Sequence, residues 1–332
     1  TSGGTPGVVE PGDLVQDGAV TDKKFGYDAY AKIQDGVDGV AATGMVHVMA
    51  GSYVENVVVD KPLDLAGEGQ AVVTLTPAFT GLGVGEGSSL PAGSSNVILV
   101  QASDVEIYGL TVDGDNPALT SGVVRGGADL DARNGIITDH RVGPIYSNLS
   151  VHDTTVKNIY LRGIYASTGG SFNISDNTVD NVQGESQSIA IMNWAGAGII
   201  SGNVVSNAND AIVANHSSGT QFLNNIVTSS GSGIHTDNNG DGGGVADLIQ
   251  GNQVSDGPTG SYGIYVFAAY LDVVVQQNTV TNVDVGLCAS GQFGGVPSFV
   301  ANTVDGEGRT GSTGIYTTTS LFSICSGAMQ VD

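Results

Sequence analysis

The segment SGNVVSNANDAIV, residues 201–213, contains the two markers that decide the fold of this 332-residue chain. One marker is an Asn followed two residues later by Val or Ser, and the other is a small residue followed by an aliphatic one. Both recur with a mean spacing of about 25 residues, which is typical of a solenoid with one coil per repeat. The Asn marker occurs at Asn148, Asn177, Asn203, Asn225, Asn252, Asn278 and Asn302. The aliphatic marker occurs at Ile136, Ile164, Ile189, Ile212, Ile234, Ile264, Leu287 and Ile315.

Between these markers apolar and polar residues alternate, as in FVANTV at residues 299–304. A period of two indicates short strands, and equivalent strands of successive coils then pair in parallel about 4.8 Å apart. The sequence therefore predicts an all-β fold, a single-stranded parallel β-helix. We expect the aliphatic residues to stack inside it and the seven Asn residues to form a ladder that satisfies backbone groups in a turn.

The N-terminal part predicts a different element. Tyr30, Ile33, Val37 and Val40 have helical spacing, with Asp28 near the start, so an amphipathic helix at about residues 27–40 is expected to cap the open end of the solenoid. Residues 27–332 are thus predicted to be the β-helix with its cap. Residues 1–26 are predicted to be an N-terminal extension and a possible assembly segment.

Composition limits the possible partners and compartments. The net charge is −23, with 33 acidic and 10 basic residues, which argues against nucleic acid and anionic membranes as partners. There is no apolar stretch of about 20 residues to span a bilayer. Residue 1 is Thr and no signal peptide follows, which fits a processed, exported chain that is secreted, at the cell surface or periplasmic. The two cysteines, Cys288 and Cys325, allow one disulfide or two unpaired thiols.

A resemblance adds the handedness. The segment YAKIQDGVDGVAATGMVHVMAGSYVENVVVDKPLDLAGEG, residues 30–69, resembles the first coils of the pectate-lyase-like superfamily of right-handed β-helices. It is particularly similar to periplasmic and surface β-helix repeat proteins, and the resemblance covers about residues 27–325. It implies a right-handed helix. The catalytic segments of pectin methylesterases, polygalacturonases and mannuronan epimerases are absent, so it implies no particular activity.

Counting three to five residues beyond each aliphatic marker gives a strip of polar side chains across the middle coils. Amides and imidazoles beside the single Trp are typical of a sugar-binding groove, and an imidazole with a neighbouring cation suits removal of a proton next to a carboxylate. A solvated face with incidental His residues is the alternative. The predicted catalytic residues are Asp139, His140, Arg141 and His216, and the predicted substrate-binding residues are Asn193, Trp194, Asn215, His235, Asp237 and Asn238.

A second pattern suggests a metal. Residues 237–242, DNNGDG, match the first half of a calcium loop, with Asp237, Asn239, Asp241 and the later Asp247 as candidate ligands. Residues 113–116, DGDN, are a weaker match. A Gly- and Asn-rich turn without metal is the alternative. Calcium is the one cofactor that the sequence suggests.

Two functions remain open. The first is an extracellular or cell-surface structural or adhesive protein whose partners are polysaccharides or other copies of itself. The second is a secreted polysaccharide lyase, glycoside hydrolase or epimerase. A tailspike fragment or a periplasmic copper-maturation role is also possible, although four Met and five His residues are few for copper.

Overall fold

The structure is a computed structural model that describes residues 10–17, 20–141, 143–167, 169–238, 244–290 and 293–318. The chain is built from short strands because aliphatic and polar residues alternate over three to seven positions between turns, which suits a pleated strand with one buried side. The described residues form one helix, α1 (Ile33–Gly39), and 33 strands.

The strands before the middle of the chain are β1 (Leu14–Asp17), β2 (Val20–Lys24), β3 (Gly44–Val48), β4 (Gly51–Val54), β5 (Val57–Val59), β6 (Leu63–Gly67), β7 (Val73–Thr76), β8 (Asn96–Val100), β9 (Val105–Tyr108), β10 (Thr111–Asp113), β11 (Val124–Arg125), β12 (Ala128–Asp129), β13 (Ala132–Thr138), β14 (Leu149–His152), β15 (Thr155–Ala166) and β16 (Ser171–Ser175). The remaining strands are β17 (Thr178–Val182), β18 (Ile189–Trp194), β19 (Ala197–Ser201), β20 (Val204–Ala208), β21 (Asp210–Asn215), β22 (Gln221–Leu223), β23 (Ile226–Thr228), β24 (Ser232–Asn238), β25 (Leu248–Gln250), β26 (Gln253–Ser255), β27 (Tyr262–Ala269), β28 (Val274–Gln276), β29 (Thr279–Thr281), β30 (Val285–Ser290), β31 (Ser298–Val300), β32 (Thr303–Asp305) and β33 (Thr313–Thr318).

These strands form three parallel faces of one right-handed solenoid. The first face contains β4, β7, β10, the start of β15, β17, β20, β23, β26, β29 and β32. The second face contains β5, β8, β13, the end of β15, β18, β21, β24, β27, β30 and β33. The third face contains β3, β6, β9, β14, β16, β19, β22, β25, β28 and β31. The predicted all-β parallel β-helix is confirmed.

The core is made of side chains that stack in register between coils. On the second face Ile136 pairs with Ile164, then come Ile191, Ile212 and Ile234, and all five are fully buried. The predicted marker Ile189 was wrong in this coil, because it pairs with Arg162 and lies on the outward side. Since Ile189 and Ile191 are two residues apart on one strand, sequence periodicity alone does not distinguish them.

The Asn ladder forms in the turn between the third and first faces. The Nδ2 of Asn203 donates to Oδ1 of Asn225 at 2.9 Å, and the backbone N–H of Asn203 donates to the same oxygen at 3.0 Å. Asn225 repeats both bonds to Asn252, and the series runs from Asn177 to Asn302. Asn148 is not part of it, because the chain reaches the equivalent turn position at Thr154.

The cap helix is shorter than the predicted range of about 27–40. It begins at Ile33 because the carboxylate of Glu55 accepts hydrogen bonds from the backbone N–H groups of Ile33 and Gln34, at 3.0 and 3.1 Å. Residues 26–28 form a turn instead. Ile33 and Val37 are buried against the first coils, so the helix covers the end of the core as expected.

The long loop between β7 and β8 is fixed by a buried arginine. Arg133 is fully buried, and its guanidinium donates to the carbonyl oxygens of Leu82, Gly83, Ser88 and Ser89. Leu90 of this loop packs on outward apolar residues of the second face. The loop therefore forms a wall at the N-terminal end of that face.

Three remaining predictions concern the termini and the membrane. Within the predicted extension, β1 and β2 pair as an antiparallel hairpin, and its role in assembly stays a prediction. Cys288 is buried and disulfide-bonded, whereas Cys325 lies outside the described residues, so the Cys288–Cys325 bridge also stays a prediction. Within the described residues there is no helix that is long and apolar enough to cross a membrane.

Candidate functional site

Outward side chains of the second face line up in two rows across the middle coils. We call the outward side of β15, β18, β21, β24 and β27, with the turns that directly follow them, the lateral strip. One row is Tyr165, Met192, Val213, His235 and Tyr265. The other row is Arg162, Ile189, Asp210, Ser232 and Tyr262.

The single Trp lies at the exposed end of the strip. Trp194 is 38% exposed, and its ring is 4.6 Å from that of His216 in the next coil. Nε2 of His216 lies 4.0 Å from Oδ2 of Asp237, one coil further on. An exposed indole beside an imidazole and a carboxylate can stack on a sugar ring and bond its hydroxyls.

A second aromatic group continues this surface. The ring of Tyr265 lies 6.4 Å from His235, 5.9 Å from Tyr262 and 5.6 Å from Phe267. Burial raises the pKa of Tyr265 to about 12, so its hydroxyl stays protonated and can donate a hydrogen bond. Rings thus occur on each of the coils from β18 to β27, as the two pairs Trp194–His216 and His235–Tyr265.

Besides the tyrosines, three titratable groups lie within the two rows. Burial lowers the pKa of Arg162 to about 10, and its guanidinium donates to the carbonyl oxygens of Gln187 and Leu161. Burial also raises the pKa of Asp210 and lowers that of His235, while the attraction between these two opposes both shifts. Burial therefore disfavours the charged form of both groups.

The predicted catalytic residues do not converge. Asp139 forms a two-point ion pair with Arg141, with Nη2–Oδ2 at 2.7 Å and Nε–Oδ1 at 3.0 Å, and this pair lowers the pKa of Asp139. The ring centroids of His140 and Tyr165 are 5.6 Å apart, and burial lowers the pKa of His140. These three residues directly follow β13, whereas His216 directly follows β21. On the second face β21 is three strands away from β13, which corresponds to about 14 Å. One sugar unit cannot contact both groups.

Two predicted substrate-binding residues face inward. Asn193 is fully buried, and its amide bonds Gly196 and the Oγ1 of Thr220. Asn238 is also fully buried, and its Nδ2 donates to the carbonyl oxygen of Ser217. Counting from Ile189 placed Asn193 two positions out of register, and Asn238 follows a register shift in β24. Asn215 is the predicted amide that remains partly exposed next to Trp194.

The proposed calcium ligands are only partly described. Asn239 and Asp241 lie outside the described residues. Asp247 is buried, and its carboxylate accepts from Thr220 N–H at 2.8 Å and from the hydroxyls of Ser217 and Thr236 at 2.5 Å each. This network joins two turns, which explains a buried carboxylate without metal. No cluster of three His, Cys, Asp or Glu side chains able to hold a metal is present in the described ranges.

Sequence reasoning missed Arg162, Tyr165, Asp210, Tyr262 and Tyr265. Tyr165 and Tyr265 belong to one of the two rows in register, and Arg162, Asp210 and Tyr262 belong to the other. Tyr165 and Tyr265 directly follow Ile164 and Ile264, whereas the other three lie two residues before an aliphatic marker. The predicted strip was based on positions three to five residues after each marker and therefore excluded both groups.

The fold defines the class of protein as a right-handed parallel β-helix. The chain is similar to the alginate lyase from Paenibacillus sp. str. FPU-7, with a TM-score of 0.58 and 14% identity over 87% of this chain and 96% of that one. It is also similar to the enzymatically active domain of tailspike protein 2 of bacteriophage CBA120, with a TM-score of 0.55, 13% identity, and 87% of this chain against 43% of that one. For the catalytic domain of a GH87 alpha-1,3-glucanase the TM-score is 0.53 and the identity 14%, over 87% of this chain and 64% of that one.

At these identities the likeness extends to the fold alone. Residues 93–286, more than half of the chain, match the family described as periplasmic copper-binding protein (NosD). The chain therefore belongs to the NosD family. No curated protein sequence matches it significantly.

Proposed function

We propose that this chain is a β-helix protein of the cell surface or periplasm that binds a polysaccharide along the lateral strip. The observation that carries the proposal is the pairing of Trp194 with His216 and of His235 with Tyr265, at 4.6 and 6.4 Å, on consecutive coils. Rings repeated along a straight scaffold suit a polymer of repeated rings. The three similar solved structures are described as an alginate lyase, a tailspike domain and a glucanase, which supports a polysaccharide as ligand.

The charges favour a neutral polysaccharide. Arg141 is neutralised by Asp139, and the cation Arg162 is opposed by Asp210 in the same row. The chain as a whole carries a net charge of −23, which repels a polyanion. A neutral glucan is therefore expected to bind more tightly than a polyuronate.

The single Trp makes the test direct. Neutral and uronic oligosaccharides are titrated while the fluorescence of Trp194 is followed, and a saturable change with the neutral ligand is expected. Tyr265→Ala should weaken binding about tenfold, which corresponds to about 1.4 kcal/mol.

The matched control is Tyr108→Ala. Tyr108 stacks on His152 at 4.9 Å on the outward side of the third face, so its loss removes an equivalent ring pair away from the strip. Equal weakening by both variants, or no saturable change with any glycan, would overturn the proposal.

Whether the bound glycan is also cleaved is decided by the same ligands. Asp210 and His235 are an acid and a base with pKa values shifted by burial, the kind of pair that glycan cleavage needs. Release of products that stops in Asp210→Asn would establish an enzyme. If His140→Ala and His216→Ala leave such activity unchanged, the predicted catalytic set is removed. Binding without products would establish an adhesive or structural role.

The second candidate function is copper binding. The family description names copper, and copper prefers thioether sulfur and imidazole ligands. The observation that favours it in this chain is MVHVM at residues 45–49, because Met45, His47 and Met49 alternate along β3 and the residue after it. These residues fit a copper ion by donor type, and they would hold it by coordination with no redox step required of the protein.

A further inference from the structure

Three side chains that could coordinate a soft metal ion lie on the outer side of β3 and the residue after it. Met45 is 52% exposed and His47 is also exposed, while Val46 and Val48 between them are buried in the core. Met49 follows the same alternation and is half-buried. Alternate residues of a strand are about 6.6 Å apart, and two flexible Met side chains can reach a point above the central imidazole.

The imidazole of His47 is held by a carboxylate. Its Nε2 lies 3.1 Å from Oε1 of Glu68, and Oε2 of Glu68 accepts the backbone N–H of Ala50 at 2.8 Å. With Nε2 directed at this carboxylate as a hydrogen-bond donor, the other ring nitrogen, Nδ1, is left for a metal ion. Nδ1 then carries the lone pair, which is the arrangement found in metal-binding histidines.

The three side chains line a cleft at the N-terminal end of the solenoid. Its volume is about 640 Å³, and its lining also includes Phe25, Tyr27, Tyr30, Lys23 and Lys32. A soft monovalent ion loses less hydration in such a cleft than a hard divalent ion, and thioether sulfur selects Cu(I).

The other described Met and Cys side chains, and His152, are in different surroundings from the donors of β3. Met192 is buried on the lateral strip. Cys288 is disulfide-bonded and supplies no thiolate. His152 lies between Glu106 and Asp153, which bond both of its ring nitrogens.

We infer that Met45, His47 and Met49 bind one Cu(I) ion through two thioether sulfurs and Nδ1 of the imidazole. This inference rests on the second candidate function, copper binding, and is independent of glycan binding. The site is outside residues 93–286 that match the family, and the Glu68 carboxylate next to it balances the charge of the ion.

The test is an anaerobic titration of the full chain with Cu(I) against a coloured Cu(I) chelator. One equivalent is expected to bind. Met45→Leu and Met49→Leu, which conserve volume, should each weaken binding at least tenfold. Met192→Leu is the matched control and should leave the affinity unchanged. X-ray absorption at the copper edge should show two sulfur neighbours and one nitrogen in the unaltered chain, and one sulfur in each of the two site variants.

The outcomes separate the site from the function. A chain that binds no Cu(I) overturns both copper binding and this site. Binding that is unchanged in Met45→Leu and Met49→Leu, or lost in Met192→Leu, overturns the site while copper binding stands. Circular dichroism of each variant checks the fold, and glycan titration of Met45→Leu through Trp194 should match that of the unaltered chain.

Discussion

At the scale of single residues, the stability of the fold depends on buried Asn side chains that form hydrogen bonds with one another. In the ladder Asn225 Oδ1 accepts two hydrogen bonds from Asn203, and its own Nδ2 donates to the carbonyl oxygen of Ile200 and to Asn252. Asn225 is fully buried, so water cannot replace these partners. Each buried polar group left without a partner costs about 1–3 kcal/mol.

Asn225→Ala is therefore expected to lower the free energy of unfolding by about 2–4 kcal/mol. Urea unfolding followed by circular dichroism measures it. Gln221→Ala is the control in the same coil, since Gln221 is exposed on β22, and it should change stability by less than about 0.5 kcal/mol. Similar losses in both variants would mean that the ladder contributes nothing special.

The Asp139–Arg141 pair predicts a pH dependence. The pair holds the folded pKa of Asp139 below its ordinary value of 3.8, so its contribution to stability is present above that value and is lost as the pH falls. Asp139→Asn should therefore destabilise the chain by about 1–3 kcal/mol at neutral pH and by less in acid. Urea unfolding midpoints at neutral pH and in acid measure the loss of stability at each pH. The control is Asp60→Asn, because Asp60 is exposed and its replacement should have the same small effect at both. A loss of stability in Asp139→Asn that is the same at both pH values would contradict the ion pair.

At the scale of elements, one buried side chain holds one loop. Arg133 supplies the donors for four carbonyl oxygens between Leu82 and Ser89, and without them the loop loses most of its side-chain hydrogen bonds to β13, of which the bond from Asn134 Nδ2 to Ser89 remains. Arg133→Met should expose the backbone amides of residues 80–95 to rapid hydrogen exchange and destabilise the chain by about 2–4 kcal/mol. Arg125→Met is the control, because Arg125 is exposed and its guanidinium donates to the carbonyl oxygen of the neighbouring Val124. Unchanged protection of the loop in Arg133→Met would show that Leu90 and the Asn134–Ser89 hydrogen bond are enough to hold it.

The elements also show how far the sequence reaches. The solenoid was predictable because its aliphatic residues must repeat at the coil spacing for each to find a partner, as Ile212, Ile234 and Ile264 do. Register within a coil was not, since Ile189 and Ile191 satisfy the same pattern and only the neighbouring strands distinguish them. The start of α1 depends on Glu55, 22 residues away, and such a contact leaves no local signal.

The candidate site was harder to predict for the same reason. Trp194, His216 and Asp237 were found because they lie at or near the C-terminal ends of their strands, and they lie in adjacent coils. Asn193 was assigned to the outward side because it was counted from Ile189, although it lies two residues after the buried Ile191 and therefore on the same side as that residue. Asn238 follows the register shift between Thr236 and Asp237. Met45, His47 and Met49 were not predicted as a copper site, because only the total number of Met and His residues was considered. Their alternation along one strand was not.

At the scale of the whole molecule, charge opposes compactness. With 33 acidic and 10 basic residues, the folded chain concentrates negative charge on its surface, and salt screens the repulsion. Raising the ionic strength from about 0.01 M to about 0.1 M shortens the screening length from about 30 Å to about 10 Å. The melting temperature should rise by a few degrees, as measured by circular dichroism.

The choice of salt provides the control. Sodium and potassium chloride should act alike, because screening does not depend on the identity of the cation. A larger rise with calcium chloride at equal ionic strength would favour the calcium site predicted from Asp237, Asn239, Asp241 and Asp247. A melting temperature that falls with added sodium chloride would contradict the repulsion.

The ladder also has a consequence for how such a chain changes its length over evolutionary time. Each Asn from Asn177 to Asn278 makes the same bonds to the next one, although 22 to 27 residues separate them. Duplicating or deleting one whole coil would leave every remaining amide with an equivalent neighbour, so the rod can grow or shrink in steps of about 4.8 Å. The lateral strip lacks this freedom, because its side chains differ from coil to coil. Related β-helices can therefore gain or lose coils at their ends. The number of coils between β15 and β27 is expected to stay constant.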